Sequence, residues 1–380
     1  MQPIQMNVLA VLCDHYWMQQ HLVPTLKTTF QNVEVFLYEG MAKWYDPKWI
    51  ASRKSEMDRL MTTVRALRSQ GKLDLIFMIV YDDFLFPEVA LAIKKMGIHM
   101  INYHVDMPTQ WYRCIRTAPY FDLIGVTHQL HMDDLARYGA KLLYVPMAAN
   151  TDYFRPLDIK KEYNVLFIGS YTPARADVLA AASDVTKSVH VAGSGWQEPT
   201  ACSHKPRYFN FFWKKYLYDL KYVLPRLRAE NIRMLATRNL GNRIYAKGGW
   251  NGGAVCMGYQ SDIVELINKA KIVLGINQRW GSIGSKNGHV SSRLRDFEAP
   301  ACGSLYLVQR YPELHLHYIE DEEAVPWSNL DELRRKVDHY LSHEKERQSI
   351  AAAGRERVVR THQWKHRYRA MLAHLNEGSS

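Results

Sequence analysis

Between Ser291 and Gly303 the chain reads Ser-Ser-Arg-Leu-Arg-Asp-Phe-Glu-Ala-Pro-Ala-Cys-Gly and runs straight into the strand-like Ser304-Leu-Tyr-Leu-Val308. A serine cap candidate at one end and a glycine stop at the other predict a short helix. It leads into a parallel strand, at the rim where such sheets bind ligands. Arg295 and Glu298 stand three apart and so share one face of that helix. A guanidinium can grip a diphosphate through two hydrogen bonds, and a carboxylate can accept both hydroxyls of a ribose. The same spacing also suits a plain surface ion pair.

Three other segments carry anion-binding chemistry. Phe167-Ile-Gly-Ser-Tyr-Thr-Pro-Ala-Arg175 places Gly169 and Ser170 in a turn after a strand, where backbone N–H groups and a helix N-terminus can cradle a phosphate. Arg175, in the first turn of the following helix, would face the same anion. Val191-Ala-Gly-Ser-Gly-Trp196 is a second glycine-rich strand end, with Gly193 and Gly195 as either donor contacts or ordinary turn residues. Asn277 and the run Gly281 to Lys286 follow a further strand end and are expected to line a cleft.

Candidate proton acceptors lie in the first half. Asn102-Tyr-His-Val-Asp-Met-Pro108 follows a predicted strand, and His104 or Asp106 could take a proton from an attacking hydroxyl. Asp-x-Pro is equally a common turn. Asp14-His15, after the first strand, is the competitor, with His15 as the base. Tyr81-Asp82-Asp83 has the look of an acidic metal pair, yet reads as a polar loop or an acceptor contact.

These residues need strand ends to hold them, and the sequence supplies the strands. Val8–Leu12, Val33–Leu37, Asp74–Val80, Met100–Tyr103, Leu123–Val126 and Leu142–Val145 are short apolar runs, with a helix predicted from Pro47 to Ser69. Continuous apolar runs of this length suit parallel strands covered on both faces. The pattern breaks at 147–156, between two prolines, and a second series opens with Asn164–Gly169. It continues through Ser188–Ala192, Ala270–Ile276 and Ser304–Val308, and the tail from Asp331 to about His374 reads as helices. The fold class is therefore α/β, with two doubly wound Rossmann-like domains facing each other. The expected boundaries are 1–150 for an acceptor domain and 157–355 for a donor domain. Residues 207–238 are aromatic and basic, and fit either an amphipathic helix on its own domain or an acceptor-binding, membrane-facing element.

A chain of 380 residues suits two such domains, and 47% apolar with 23% charged residues is globular composition without a disordered tract. The start lacks the basic and apolar regions of a signal peptide, and no run reaches the length of a membrane span. Cytoplasmic localisation is expected, or a peripheral position at the inner face of the membrane. The five cysteines show no Cys-x-x-Cys pair, which argues against a disulfide framework or a thiolate zinc site. Lys plus Arg exceed Asp plus Glu by 49 to 38, a balance suited to nucleotide phosphates, an anionic membrane surface or nucleic acid. No Gly-x-Gly-x-x-Gly closes the first strand, which disfavours a dehydrogenase.

From Arg295 onward, the order and spacing of many elements resemble one family. They are Arg295-Asp-Phe-Glu-Ala-Pro-Ala-Cys-Gly303, Pro312-Glu-Leu314, Tyr318 to Val325, Asp331-Glu-Leu333, Ile350-Ala-Ala-Ala-Gly-Arg355 and His362-Gln-Trp364. The chain looks like the bacterial group-1 glycosyltransferases related to the spore-maturation glycosyltransferases. That resemblance implies a GT-B fold, donor nucleotide held in the second domain, and residues 356–380 as a C-terminal helix packing back on the first. It implies that Glu298 binds the donor ribose and that Arg295 lies near the diphosphate. The expected partners are a nucleotide-sugar and an acceptor hydroxyl of a cell-surface glycan, glycolipid or other bacterial glycoconjugate. No cofactor and no metal are expected, and no stable nucleic-acid partner. Transfer to modified nucleic-acid bases, or a non-catalytic two-lobed nucleotide binder, are the alternatives. Retaining relatives pair Glu298 with an earlier glutamate whose place is taken here by Val290, so the stereochemical outcome stays open.

Overall fold

The computed structural model describes residues 2–39, 47–196, 254–258, 262–280, 283–284 and 289–377. The aromatic-basic segment 207–238 and most of 281–288 lie outside them. The chain divides into two compact units. Residues 2–147 and 364–377 belong to the first, and residues 148–196 and 254–363 to the second.

The first unit is built on β1 (Ile4–Cys13), β2 (Phe30–Tyr38), β3 (Leu75–Met78), β4 (His99–His104), β5 (Leu123–Val126) and β6 (Leu142–Tyr144). They form one sheet in the order β2-β1-β3-β4-β5-β6, every pairing parallel. β3 is buried at all four positions, as its unbroken Leu-Ile-Phe-Met requires of a strand covered on both faces. The helix Pro47–Ser69 spans the residues the periodicity predicts. The helix Pro87–Lys95 starts on a proline and is followed by Gly97 at φ +73°, the usual asymmetry of helix ends.

The helix Trp364–Glu377 belongs to this first unit although it follows the whole of the second in sequence. Tyr368 lies against Phe30 and Phe77, with ring centroids 5.7 and 5.6 Å apart, and its hydroxyl is 3.0 Å from Thr25 Oγ1. Arg367 Nε donates to the Pro146 carbonyl at 2.9 Å. Gly125 leaves room for Met371, whose sulfur would sit 2.8 Å from any Cβ there. Burial of each such side chain contributes roughly 1.5–3 kcal/mol, so the helix is held by packing rather than by its own propensity.

The second unit contains β7 (Tyr163–Ile168), β8 (Val189–Ala192), β9 (Val255–Cys256) and β10 (Ala270–Gly275). It also contains β11 (Gln278–Trp280), β12 (His289–Val290), β13 (Leu305–Gln309) and β14 (Val325–Trp327). The main sheet runs β14-β13-β10-β7-β8-β9, again parallel throughout, while β11 and β12 pair as an antiparallel ribbon. Val165, Ile272, Leu307 and Val325 are fully buried together with Val178, Leu333 and Val337 from the covering helices. Among the described residues no helix is long and apolar enough to cross a membrane.

Candidate functional site

In the second unit the strand order reverses between β7 and β10, which is where an open parallel sheet leaves a crevice at its carboxyl edge. The loops leaving those two strands hold Gly169, Ser170 and Arg175 on one side and Asn277, Gln278 and Arg279 on the other. The loop after β8 closes on the first of them. Gly169 N–H donates to the Ala192 carbonyl at 2.9 Å, Tyr171 N–H to Ser194 at 2.8 Å, and Trp196 Nε1 to the Gly169 carbonyl at 2.7 Å. Gly193 must be glycine here: its φ is +146°, and a Cβ would lie 2.2 Å from the Gly169 oxygen. Gly195 takes φ +84° in the same loop, and Ser170 Oγ is 3.3 Å from Ser194 Oγ.

Thr172 caps the helix Pro173–Val185, its hydroxyl accepting from Arg175 N–H. The Arg175 guanidinium folds back so that Nη1 donates to the Ser170 carbonyl at 2.6 Å and the ion lies over the Phe167 ring. Its Nε is buried with no hydrogen-bond partner among the described residues. Burial, and then the positive charge of Arg279, pulls the Arg175 pKa down to about 10. Arg279 Nε in turn donates to Ser291 Oγ at 2.9 Å. Two cations are thus held within reach of one another beside a helix N-terminus, an arrangement that an anion would relieve.

The helix Arg295–Ala301 carries the sequence-predicted pair. Arg295 Nη1 stands 2.8 Å from Glu298 Oε2, with Arg295 side chain 18% and Glu298 4% exposed. The ion-pair reading of the spacing holds, with the pair buried at its carboxylate end. Arg295 Nε has no hydrogen-bond partner among the described residues. Burial raises the Glu298 carboxyl above its ordinary range, and Arg295 opposes that rise. The serine cap does not form. Leu294 precedes the helix, and the cap-like bond comes from Asp296, whose Oδ2 accepts from Arg293 N–H at 2.9 Å.

Asp296 is the residue that sequence reasoning missed. It is fully buried and also accepts from Asn277 Nδ2 at 2.9 Å and from the Tyr306 hydroxyl at 2.5 Å. Tyr318 donates to its backbone carbonyl at 2.7 Å. Burial pushes its carboxyl up to about 6 against the pull of those donors. Gln309, the last residue of β13, accepts from the backbone N–H groups of Asn277 and Gln278 at 3.0 and 2.8 Å. Asn277 is therefore not a surface residue lining a cleft, as expected, but an interior strut, 1% exposed, that ties the β10 exit to the Arg295–Glu298 helix. An acid flanked by Arg295 and Phe297 gives no sequence signal of burial. Arg279, two residues past Asn277, lay within a segment already marked by its strand-end position.

In the first unit the order reverses between β1 and β3. His15, just past β1, is exposed, and its Nδ1 accepts from Trp17 N–H at 3.2 Å, which leaves the proton on Nε2 in the neutral ring. Asp14 accepts from Gln19 Nε2. A single π-helical turn, Met18–Leu22, follows. Asp82 is buried and accepts from Arg116 N–H, Thr117 N–H and the Thr117 hydroxyl, while Asp83 takes Arg113 Nη2 on both oxygens at 2.7 and 2.6 Å. These two acids fasten the loop rather than face a ligand. Among the described residues no three His, Cys, Asp or Glu side chains gather as metal ligands would.

His104 ends β4 fully buried, with Nε2 donating to the Gln110 carbonyl at 3.2 Å and its ring edge-on to Tyr81. Burial lowers its pKa to about 3. So weak a base does not suit proton abstraction near neutral pH, and this corrects its place among the candidate bases. Asp106 is half-buried at the start of the turn Met107–Gln110, with Oδ2 accepting from Gln110 Nε2 at 3.2 Å. Gln110 also meets Arg113. Of the three candidates, Asp106 alone is a partly accessible carboxylate.

Residues 228–373 match the Glycosyl transferase-like family model. No curated protein sequence matches the chain. The fold is similar to that of a glycosyltransferase from Rickettsia africae, at TM-score 0.54 and 14% identity, with 98% of each chain covered. It is similar to Anabaena Alr3699/HepE, solved in complex with UDP and glucose, at TM-score 0.56 and 10% identity, covering 97% of this chain and 99% of that one. Sucrose-phosphate synthase from Thermosynechococcus elongatus gives TM-score 0.56 at 12% identity, covering 98% and 100%. The two parallel six-stranded sheets and the returning terminal helix are thus those of the GT-B fold, and the part of the chain that carries Arg295 and Glu298 is similar to the glycosyl transferase-like family.

Proposed function

We propose that the protein is a glycosyltransferase that moves a sugar from a nucleotide-sugar donor to an acceptor hydroxyl. The carrying observation is the convergence of Arg175 and Arg279 on the β7/β10 reversal, with Arg175 Nε buried and without a hydrogen-bond partner among the described residues. A diphosphate placed there would meet two guanidiniums and the N-terminus of the helix Pro173–Val185. Glu298 would accept the ribose hydroxyls, with Arg295 fixing its charge. These cations would do the work of a divalent metal in neutralising the leaving diphosphate, so no cofactor is needed. Asp106 is the proposed general base on the acceptor side. The acceptor belongs to a cell-surface glycan, glycolipid or related glycoconjugate, and the basic excess of the chain suits peripheral contact with an anionic membrane.

UDP-sugars are the first donors to try, because the HepE complexes hold UDP and UDP-glucose. Melting curves with UDP-, GDP-, dTDP- and CMP-sugars should show one nucleotide that raises the melting temperature in a concentration-dependent way. A flat response to all four, with calorimetry equally silent, would remove the donor reading.

A further inference from the structure

Gln110 is bonded through each of its polar groups. Its backbone N–H donates to the Asp106 carbonyl at 2.9 Å, and its carbonyl accepts from His104 Nε2 at 3.2 Å. In the side chain, Oε1 accepts from Arg113 Nη1, and Nε2 donates to Asp106 Oδ2 at 3.2 Å. Burial keeps the His104 ring neutral, with its proton on Nε2 where the Gln110 carbonyl needs it.

Arg113 sets which way the amide points. An amide has one accepting end and one donating end, nearly identical in shape. A guanidinium can bond only to the oxygen, so the NH₂ group is turned toward Asp106. The guanidinium is itself fixed: Asp83 takes Nη2 on both oxygens at 2.7 and 2.6 Å, and the Arg113 Cζ atom lies 4.3 Å from the Tyr81 ring centre. Orientation thus runs from a buried ion pair, through a neutral amide, to a half-buried carboxylate. The loop does not need that last link for its own sake, since Asp82 and Asp83 already tie it to Arg116, Thr117 and Arg113.

The neutrality of the link matters chemically. A cation paired directly with a carboxylate stabilises its charged form and makes it a poor proton acceptor. An uncharged amide donor fixes the plane of a carboxylate with less effect on its basicity. We propose that Gln110 is a positioning residue that aims the Asp106 carboxylate at the attacking hydroxyl, a role that rests on the reading of Asp106 as the general base.

Two variants test it. Gln110→Leu removes both side-chain bonds, while Gln110→Glu keeps an oxygen for Arg113, so guarding the fold, and puts an acceptor where Asp106 needs a donor. Crystal structures of the wild type and Gln110→Glu show where the Asp106 side chain points. Turnover of UDP-glucose with octyl β-glucoside is measured in both variants, in Asp106→Asn and in the double variants. The expected result is a changed Asp106 rotamer in Gln110→Glu and turnover slowed about tenfold or more at an unchanged KM for UDP-glucose. No further slowing is expected where Asp106 is already asparagine. A carboxylate that keeps its wild-type place, or the same loss on top of Asp106→Asn, makes Gln110 merely structural and overturns the inference. Gln110→Glu at full rate beside a slow Asp106→Asn overturns it too, with the general base intact. Asp106→Asn at the wild-type rate removes the general base and this role of Gln110 together. If the wild type does not turn over UDP-glucose, the rotamer comparison alone decides.

Discussion

Replacing Glu298 with glutamine keeps the side chain's shape and removes its charge. Glu298 is 3% exposed and pairs with Arg295 at 2.8 Å. A hydrogen bond to a charged group is worth about 1.5–3 kcal/mol, so loss of the ribose contact should weaken nucleotide binding by about 10- to 150-fold. The fold should suffer less. Breaking a fully buried pair costs about 3–5 kcal/mol, but the Arg295 side chain is 18% exposed and can turn toward water, which puts the stability loss nearer 1–2 kcal/mol. Calorimetric titration with the bare nucleoside diphosphate and with its sugar conjugate, well below the melting temperature, separates the effects. Both ligands contain the ribose, so both should weaken by the same factor. Affinity within twofold of wild type for both ligands would refute the ribose assignment. Weakening of the sugar conjugate alone would move Glu298 to the sugar.

Asp106→Asn should leave donor affinity unchanged and slow transfer by roughly 100-fold or more, the scale of general-base catalysis. His15→Ala is the control, and a dead His15→Ala beside a fully active Asp106→Asn would transfer the role to His15. Transfer should persist in excess EDTA, with restoration of a chelated enzyme by Mn²⁺ or Mg²⁺ as the contrary result. Asp296 has a folded pKa of about 6, above its unfolded value, so the native state holds the proton more tightly. As pH rises from about 4 to 6 the wild type should therefore lose stability relative to Asp296→Asn, by at most about 1.4 kcal/mol per pH unit. Urea unfolding at pH 4, 5 and 6 checks this, and a pH-independent difference would contradict the burial argument.

The fold was legible because its strands are apolar runs that need cover on both faces. Leu75–Met78 is an unbroken apolar run, and Pro47–Ser69 shows the helical period from Met57 to Leu67. The loops that carry Gly169, Arg175 and Arg279 were legible for the same reason, since strand ends in a parallel sheet collect at one edge. What the sequence could not show was the direction in which polar side chains face. Asn277 and Asp296 find each other across 19 residues and turn inward, and no local pattern distinguishes that from two exposed polar groups. His104 is spaced like a catalytic residue and is buried like a structural one. The Arg175–Arg279 juxtaposition depends on β7 and β10 being neighbours, a fact of strand order rather than of spacing.

The helix Trp364–Glu377 sets the order in which the chain can mature. Its partners Phe30, Phe77 and Thr25 are synthesised more than 280 residues earlier than the helix that covers them. Until that helix leaves the ribosome, Phe30 and Phe77 lack the Tyr368 ring that packs on them in the folded protein. The second unit, in contrast, has all of its own strands in hand by then. A premature stop before Trp364 would release a chain whose second half can fold and whose first half remains a sticky surface for chaperones or for other copies. Emergence of Trp364–Glu377 is thus the step that lets the first unit finish folding.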